Sequence, residues 1–443
     1  MSAWTRRDFA RTAGLATAAS YSRVPGANDR VRMGYIGLGN RGDQVHDAFL
    51  EHGDNETVAV CDLRDDYMDF AIQKSRAHPK KYNDYRALLE DKGVDAVVIA
   101  TPDHWHALMF IDACNAGKDV YVEKPLSLTV VEGRKMVEAA ERTRRVSQVG
   151  TQRRSTASLK EAAEFVRSGG IGRVTVAKSY HIQNEWPKGI GNPPDGPPPN
   201  EKEWDQWLGP APKVPYNRNR AYYKFRWFYN YSGGQLTNFG VHNVDMIRWC
   251  LGLEYPRRVA ALGGKYVIED NREIPDTLDV IWEFDGGTLM TFSQYNANAA
   301  PPNPLRAEIE LRGTKGTMYL LSGRWEVAPE QLTALEFFAR TPLDRVSERA
   351  YRNRKPALEP KSNKGVESNQ AHARNFLDCV KSRAKCNADV LIGHVSTATT
   401  LLGNIAHKTR STLEWDGRAE RFTNHEAANR LLQYQYRAPY KLG

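Results

Sequence analysis

Cysteine is scarce: five in 443 residues, with no Cys-x-x-Cys among them. That excludes a disulfide scaffold and a zinc ribbon. Cys61, Cys114 and Cys250 sit in apolar patterns and read as core; Cys379 and Cys386, seven apart, are left open as a pair. No apolar run approaches the roughly 20 residues that cross a bilayer, so no membrane span is expected. Dense Lys/Arg clusters interleaved with aromatics are also missing. The excess of 62 basic over 53 acidic residues is spread along the chain and includes Arg6, Arg7 and Arg11 at its start. Nucleic-acid binding is therefore not implied. His181, Glu185, His242 and Asp245 are too loosely spaced for a metal site, and none is expected. What remains is 41% apolar residues over a length that suits two or three domains.

The most informative stretch is Val31 to Asp62. An apolar run ends in Gly37-Leu38-Gly39-Asn40-Arg41-Gly42, a helical pattern follows, and a second apolar run closes on Asp62. This is strand, glycine turn, helix, strand. A dinucleotide pyrophosphate requires this spacing: Gly37 for the tight turn, Gly39 for backbone approach to the phosphates, Gly42 for close helix packing. Free N–H groups at the helix start, on Asn40 and Arg41, then face the anion. Asp62, twenty residues after Gly42, suits the ribose hydroxyls of NAD, while Arg64 keeps NADP open. The α/β alternation continues through a strand at 96–100, a helix at 106–117, a strand at 118–122 and a last strand at 147–151. Ligands bind beyond the carboxyl ends of parallel strands, so Thr101, Pro102 and Asp103 should border the nucleotide.

Residues 1–29 read as a leader. Thr5-Arg6-Arg7-Asp8-Phe9 followed by the small-residue run Ala13 to Ala19 resembles a Tat signal. Export by the Tat machinery to the periplasm or beyond is the expectation. Residues 30–155 should form a Rossmann NAD(P)-binding domain, and 156–443 an α/β substrate-binding and oligomerisation domain. Strand patterns recur there at 174–182, 258–267, 278–284, 288–295 and 308–321. They predict a large, mostly antiparallel open sheet, one face helix-covered and the other facing the cofactor. The stretch 186–227, rich in Pro and Trp, is expected to be a long loop. Its Trp186, Trp204, Trp207, Trp227, Tyr222 and Tyr223 suit either sugar stacking or an oligomer interface.

Thr101-Pro102-Asp103-His104-Trp105-His106, then Glu123-Lys124-Pro125, resemble the nucleotide-domain motifs of the glucose-fructose oxidoreductase, inositol dehydrogenase and MocA family. The resemblance runs from about Arg30 to the C-terminus. It implies a nicotinamide dinucleotide cofactor, a sugar or glycoside substrate and a homo-oligomer, dimer or tetramer. It also implies that His106, Glu123, Lys124 and Gln152 contact the cofactor. A lysine at the end of a parallel strand can hold a substrate hydroxyl and relay its proton as hydride leaves. The second constellation follows Gly233-Gly234. A helix from near Thr237 would put Asn238, His242 and Asp245 on one face. The family has Asp, then His four later, with His as base; here Asn238 stands at the Asp position, and an amide cannot take up a proton. Lys124, His242 and Asn238 are the expected catalytic residues, and Arg153, His181, Asn238, His242 and Asp245 the expected substrate contacts. The expected function is an exported NAD(P)-dependent oxidoreductase acting on a secondary hydroxyl of a sugar or glycoside. NAD-recycling glycoside cleavage through a transient keto-sugar, and a non-catalytic nucleotide- or sugar-binding module, are the alternatives.

Overall fold

Val31–Ile36 (β1) is buried at every position but Arg32, as a parallel strand with helices on both sides must be. The computed structural model describes residues 30–332 and 354–443; the expected leader lies outside them. Around β1 run Asn55–Cys61 (β2), Lys80–Tyr82 (β3), Ala96–Ile99 (β4), Asp119–Val122 (β5) and Ser147–Val149 (β6), in the order β3-β2-β1-β4-β5-β6. β3 escaped the sequence reading because its three residues, two of them lysine, carry no apolar period. Ile36 pairs with Cys61 of β2 on one side and Ile99 of β4 on the other. A crevice therefore opens above these strand ends, where the winding direction reverses.

The second sheet contains Val174–Ile182 (β7), Arg258–Gly264 (β8), Thr277–Phe284 (β9), Thr288–Tyr295 (β10), Ile309–Gly313 (β11), Gly316–Leu321 (β12) and Arg324–Pro329 (β13). After the small ribbon of Gln331–Leu332 (β14) and Lys355–Pro356 (β15) come Lys361–Lys364 (β16), Leu413–Asp416 (β17) and Arg421–Phe422 (β18). The ten strands run β16-β13-β12-β11-β7-β10-β9-β8-β17-β18. β7 and β10 pair in parallel; its other strand pairs are antiparallel. The single strand expected over 308–321 is a hairpin, because Gly313 to Gly316 turns the chain while apolar alternation continues on both sides.

Leu278, Val280, Trp282 and Phe284 alternate inward from β9 beneath the helices Gly240–Leu251 and Val390–Thr409. Trp282 donates its indole N–H to the Thr399 carbonyl at 2.9 Å. The opposite face exposes Leu262, Ile281 and Leu289. No strand of this sheet lines the cavity above the ends of β1 and β4, part of whose wall comes from residues 206–238; the sheet face expected to turn toward the cofactor does not contribute to it.

The 186–227 stretch also departs from a plain loop. Prolines forbid a ladder, but Asn200 caps a helix over Glu201–Leu208 by accepting the Glu203 amide at 3.2 Å. Trp204 and Trp207 stack with centroids 5.1 Å apart and form a satellite core with Trp227, Phe228 and Tyr231. The Trp207 carbonyl accepts the Trp105 indole N–H at 3.0 Å, docking this core on the Asp103–Asn115 helix. Gly209 permits the approach, since a Cβ there would sit 2.1 Å from the Trp105 ring. Far along the chain, Phe376 of the Asn369–Ser382 helix packs edge-on against Phe49 and Tyr121. A segment from the far end of the chain thus completes the core beside β1.

Candidate active site

The glycine turn takes its shape from backbone crowding. Gly37 has φ +86°, and a Cβ there would lie 2.8 Å from the backbone of Ala100 and Thr101; one on Gly42 would lie 2.0 Å from the Gly37 carbonyl oxygen. Only glycine fits either place. The Asn40–Leu50 helix has no side-chain cap, so its first amides are left for an anion. Asp62 accepts the Leu38 amide at 2.7 Å and the Arg64 amide at 3.0 Å, which ties its carboxylate to the turn. Burial raises its pKa despite those bonds. A cradle that a methyl group would fill, an uncapped helix and a carboxylate at the end of β2 fit a dinucleotide: Gly37 to Gly42 would hold the pyrophosphate and Asp62 the ribose.

The ends of β4 and β5 carry the polar groups. Thr101, Pro102 and Asp103 line a cavity of about 470 Å³ together with Gly37, Gly39, Asn40, Arg41 and Asp62. Asp103 accepts the Ser232 hydroxyl at 2.6 Å, and burial raises its pKa. His106 does not reach the cavity wall; its ring nitrogens lie 2.8 and 2.9 Å from the carbonyls of Pro125 and Thr101, where they join the two strand ends. Glu123 accepts the Arg41 guanidinium at 2.9 Å, in space that a Cβ on Gly150 would take. The Lys124 ammonium donates to the Asn238 side-chain carbonyl at 3.0 Å, and the Asn238 amide nitrogen donates to Gln235 at 3.0 Å. Burial pushes the Lys124 pKa down to about 8, although Glu123 and Asp103 favour its charged form.

The constellation after Gly233 does not lie on one helix face. Gly234–Asn238 and Gly240–Leu251 are separate helices joined at Phe239. A Cβ on Gly240 would meet the Phe292 ring at 2.9 Å, which explains a glycine at the join. Asn238 consequently lines the cavity, whereas His242 and Asp245 do not. His242 is buried with Nδ1 unpartnered, and burial first, then the charge of Lys124, holds its pKa well below the usual imidazole value. Asp245 accepts both arms of Arg154 at 2.7 and 3.0 Å and the Ser396 hydroxyl at 2.6 Å. Arg153 is held by Glu308, Glu367 and Asn243, and Gln152 donates to Glu367 at 2.6 Å. His181 packs on Phe239 with centroids 4.8 Å apart, and burial lowers its pKa to about 4. Among the described residues no group of three His, Cys, Asp or Glu side chains gathers as a metal site, and all five cysteines are buried and free.

Comparison with known proteins bears on this geometry. Residues 31–151 match the oxidoreductase family with the NAD-binding Rossmann fold; residues 157–261 and 338–442 match its C-terminal alpha/beta domain; residues 212–319 match a GFO/IDH/MocA C-terminal domain. The chain belongs to the GFO/IDH/MocA family. An alpha-N-acetylgalactosaminidase from Shewanella oneidensis is 40% identical over 123 residues, 26% of this chain and 27% of that protein. The match thus spans about a quarter of the relative's length. A levoglucosan dehydrogenase in complex with NADH and levoglucosan shares the fold, with TM-score 0.62 and 19% identity over 87% of this chain and 99% of that one. So does a scyllo-inositol dehydrogenase from Lactobacillus casei, with TM-score 0.60 and 18% identity over 88% of this chain and 99% of that one.

Within this GFO/IDH/MocA fold, sequence reading named Trp207, Tyr222 and Tyr223 as possible sugar contacts but missed Tyr67, Gln206, Phe225 and Arg226. Tyr67, Gln206, Trp207, Phe225 and Arg226 line the cavity, as do Tyr222 and Tyr223. The aromatic density of 186–227 was the available signal, but it did not say which rings turn inward. Trp204 and Trp227 pack the satellite core and Trp186 is exposed, whereas Tyr222, with φ +53°, faces the cavity and donates to Glu203 at 2.5 Å.

Proposed function

We propose that this NAD-binding protein is an exported oxidoreductase that transfers hydride between a nicotinamide and a secondary hydroxyl of a sugar or glycoside. The observation that carries the reading is Lys124: an amine with pKa about 8, bonded to a neutral amide, in the wall of the cavity that also contains the glycine turn. A bound dinucleotide supplies the hydride acceptor. Lys124 accepts the hydroxyl proton at Nζ, because near pH 8 about half of it is neutral and has a free lone pair. Asn238, itself held by Gln235, orients the amine without competing for the proton. His242, whose burial disfavours the imidazolium, adds no positive charge there. Export through the Tat machinery to the periplasm or beyond rests on the Arg6-Arg7 pattern, and the homo-oligomer on family resemblance.

A second reading, glycoside cleavage with the dinucleotide returned unchanged, is favoured by the name of the Shewanella relative. The two are separated by denaturing the purified protein, identifying the released nucleotide, and supplying that nucleotide and a panel of glycosides to native enzyme. Reduced nicotinamide accumulating in step with sugar oxidation supports the dehydrogenase. Aglycone release without net reduction supports cleavage. Bound nucleotide with neither response overturns both and leaves a binding module.

A further inference from the structure

We propose that Arg226 is an anion-recognition residue of this site, and that the favoured sugar carries a carboxylate or sulfate group. The inference rests on the sugar-oxidoreductase reading above and narrows its substrate class. Arg226 lines the cavity beside Lys124, Asp103 and Asn238. The two other arginines in that wall already have acidic partners: Arg41 binds Glu123, and Arg86 lies 3.5 Å from Asp84. Arg226 has none. Among the described residues it makes no hydrogen bond or ion pair, and its Nε is buried without a partner. Its guanidinium is nevertheless held in orientation, 4.2 Å from the Tyr223 ring centroid and 5.6 Å from that of Phe225.

A partly buried guanidinium that stacks on two rings but leaves its N–H fork unused is prepared for a planar or tetrahedral oxyanion. Asp103 feels the charge of Arg226 but makes no hydrogen bond with it; its Oδ2 accepts the Ser232 hydroxyl. Arg226 also acts on Lys124, where its charge opposes the ammonium form that Glu123 and Asp103 favour. Its charge acts on Asp103 and Lys124, at the ends of β4 and β5, whereas Asp62 at the ribose end feels Arg64.

The test uses the holoenzyme as purified and matched methyl glycosides, each as neutral hexoside, uronate and sulfate ester. At least one acidic member should show a KM roughly ten- to a hundredfold below its neutral counterpart. Whether that member is the uronate or the sulfate identifies the group. Arg226→Gln should bring the acidic-to-neutral ratio close to one, and Arg226→Lys should retain part of it. Equal KM values for acidic and neutral members in the wild type overturn the proposal while sparing the oxidoreductase reading. Loss of bound nucleotide from Arg226→Gln, with the acidic preference intact, overturns it in favour of a cofactor-phosphate contact. A panel in which no sugar binds or is oxidised overturns that reading and this proposal together.

Discussion

The cavity wall and the domain junction differ in how they use buried polar groups. Away from the cavity lining, where the two domains meet, Arg153, Arg154 and Asp245 are enclosed and engaged, by Glu308 and Glu367, by Asp245, and by Arg154 with Ser396. At the ends of β4 and β5, Lys124 has a single neutral hydrogen-bond partner, and in the same cavity Arg226 has no hydrogen-bond partner among the described residues. Buried charges that are mutually satisfied hold elements in register, and removing one partner exposes the whole desolvation cost of the other. A charge with spare hydrogen-bonding capacity on a cavity wall is available to a ligand. The difference separates residues that position the site from residues that do its chemistry.

Lys124→Ala should have the largest effect. If the unsatisfied amine carries the proton, turnover should fall by about a hundredfold or more, while the nucleotide released on denaturation stays stoichiometric. Turnover within a few fold of wild type would remove Lys124 from the mechanism. Arg154→Ala probes the opposite class. It leaves Asp245 buried with only a hydroxyl partner, so chemical denaturation should show a loss of about 3–5 kcal/mol, with kcat of the folded fraction little changed. A variant of ordinary stability but impaired kcat would move Asp245 from scaffold to catalysis.

The parts of this architecture that were legible in sequence are those whose physics is local. Gly37, Gly39 and Gly42 answer to one another within six residues, and Asp62 follows at the end of the next strand. Thr101 and Lys124 are marked as strand ends by continuous apolar runs before them. What was hidden depends on chain return. Arg41 meets Asn369 at 3.2 Å across 328 residues, and Phe376 fills the core beside β1; no periodicity reports such a partner. The break at Phe239 was hidden for a different reason. Helical spacing from Asn238 to Asp245 is satisfied by one helix or by two short ones, and only packing of Gly240 against Phe292 decides. Arg226 looked like any basic loop residue because its importance lies in the partner it lacks.

Asn238→Asp should have the smallest effect, because it gives the lysine a carboxylate in nearly unchanged shape. At present burial dominates, and the Lys124 pKa falls to about 8. The lysine must lose its proton before it can accept one from the hydroxyl, so kcat/KM should rise with pH and level off above about 8. A carboxylate about 3 Å from Nζ favours the ammonium form. The Lys124 pKa must then rise and the ascending limb move to higher pH, by about one unit if the pair is worth about 1.4 kcal/mol. At pH 7 the variant would be slower, and near pH 9 the gap should narrow as both enzymes approach the neutral amine. An ascending limb that stays in place would assign the titration to another group. A limb moving toward lower pH would mean that the new carboxylate itself takes the proton.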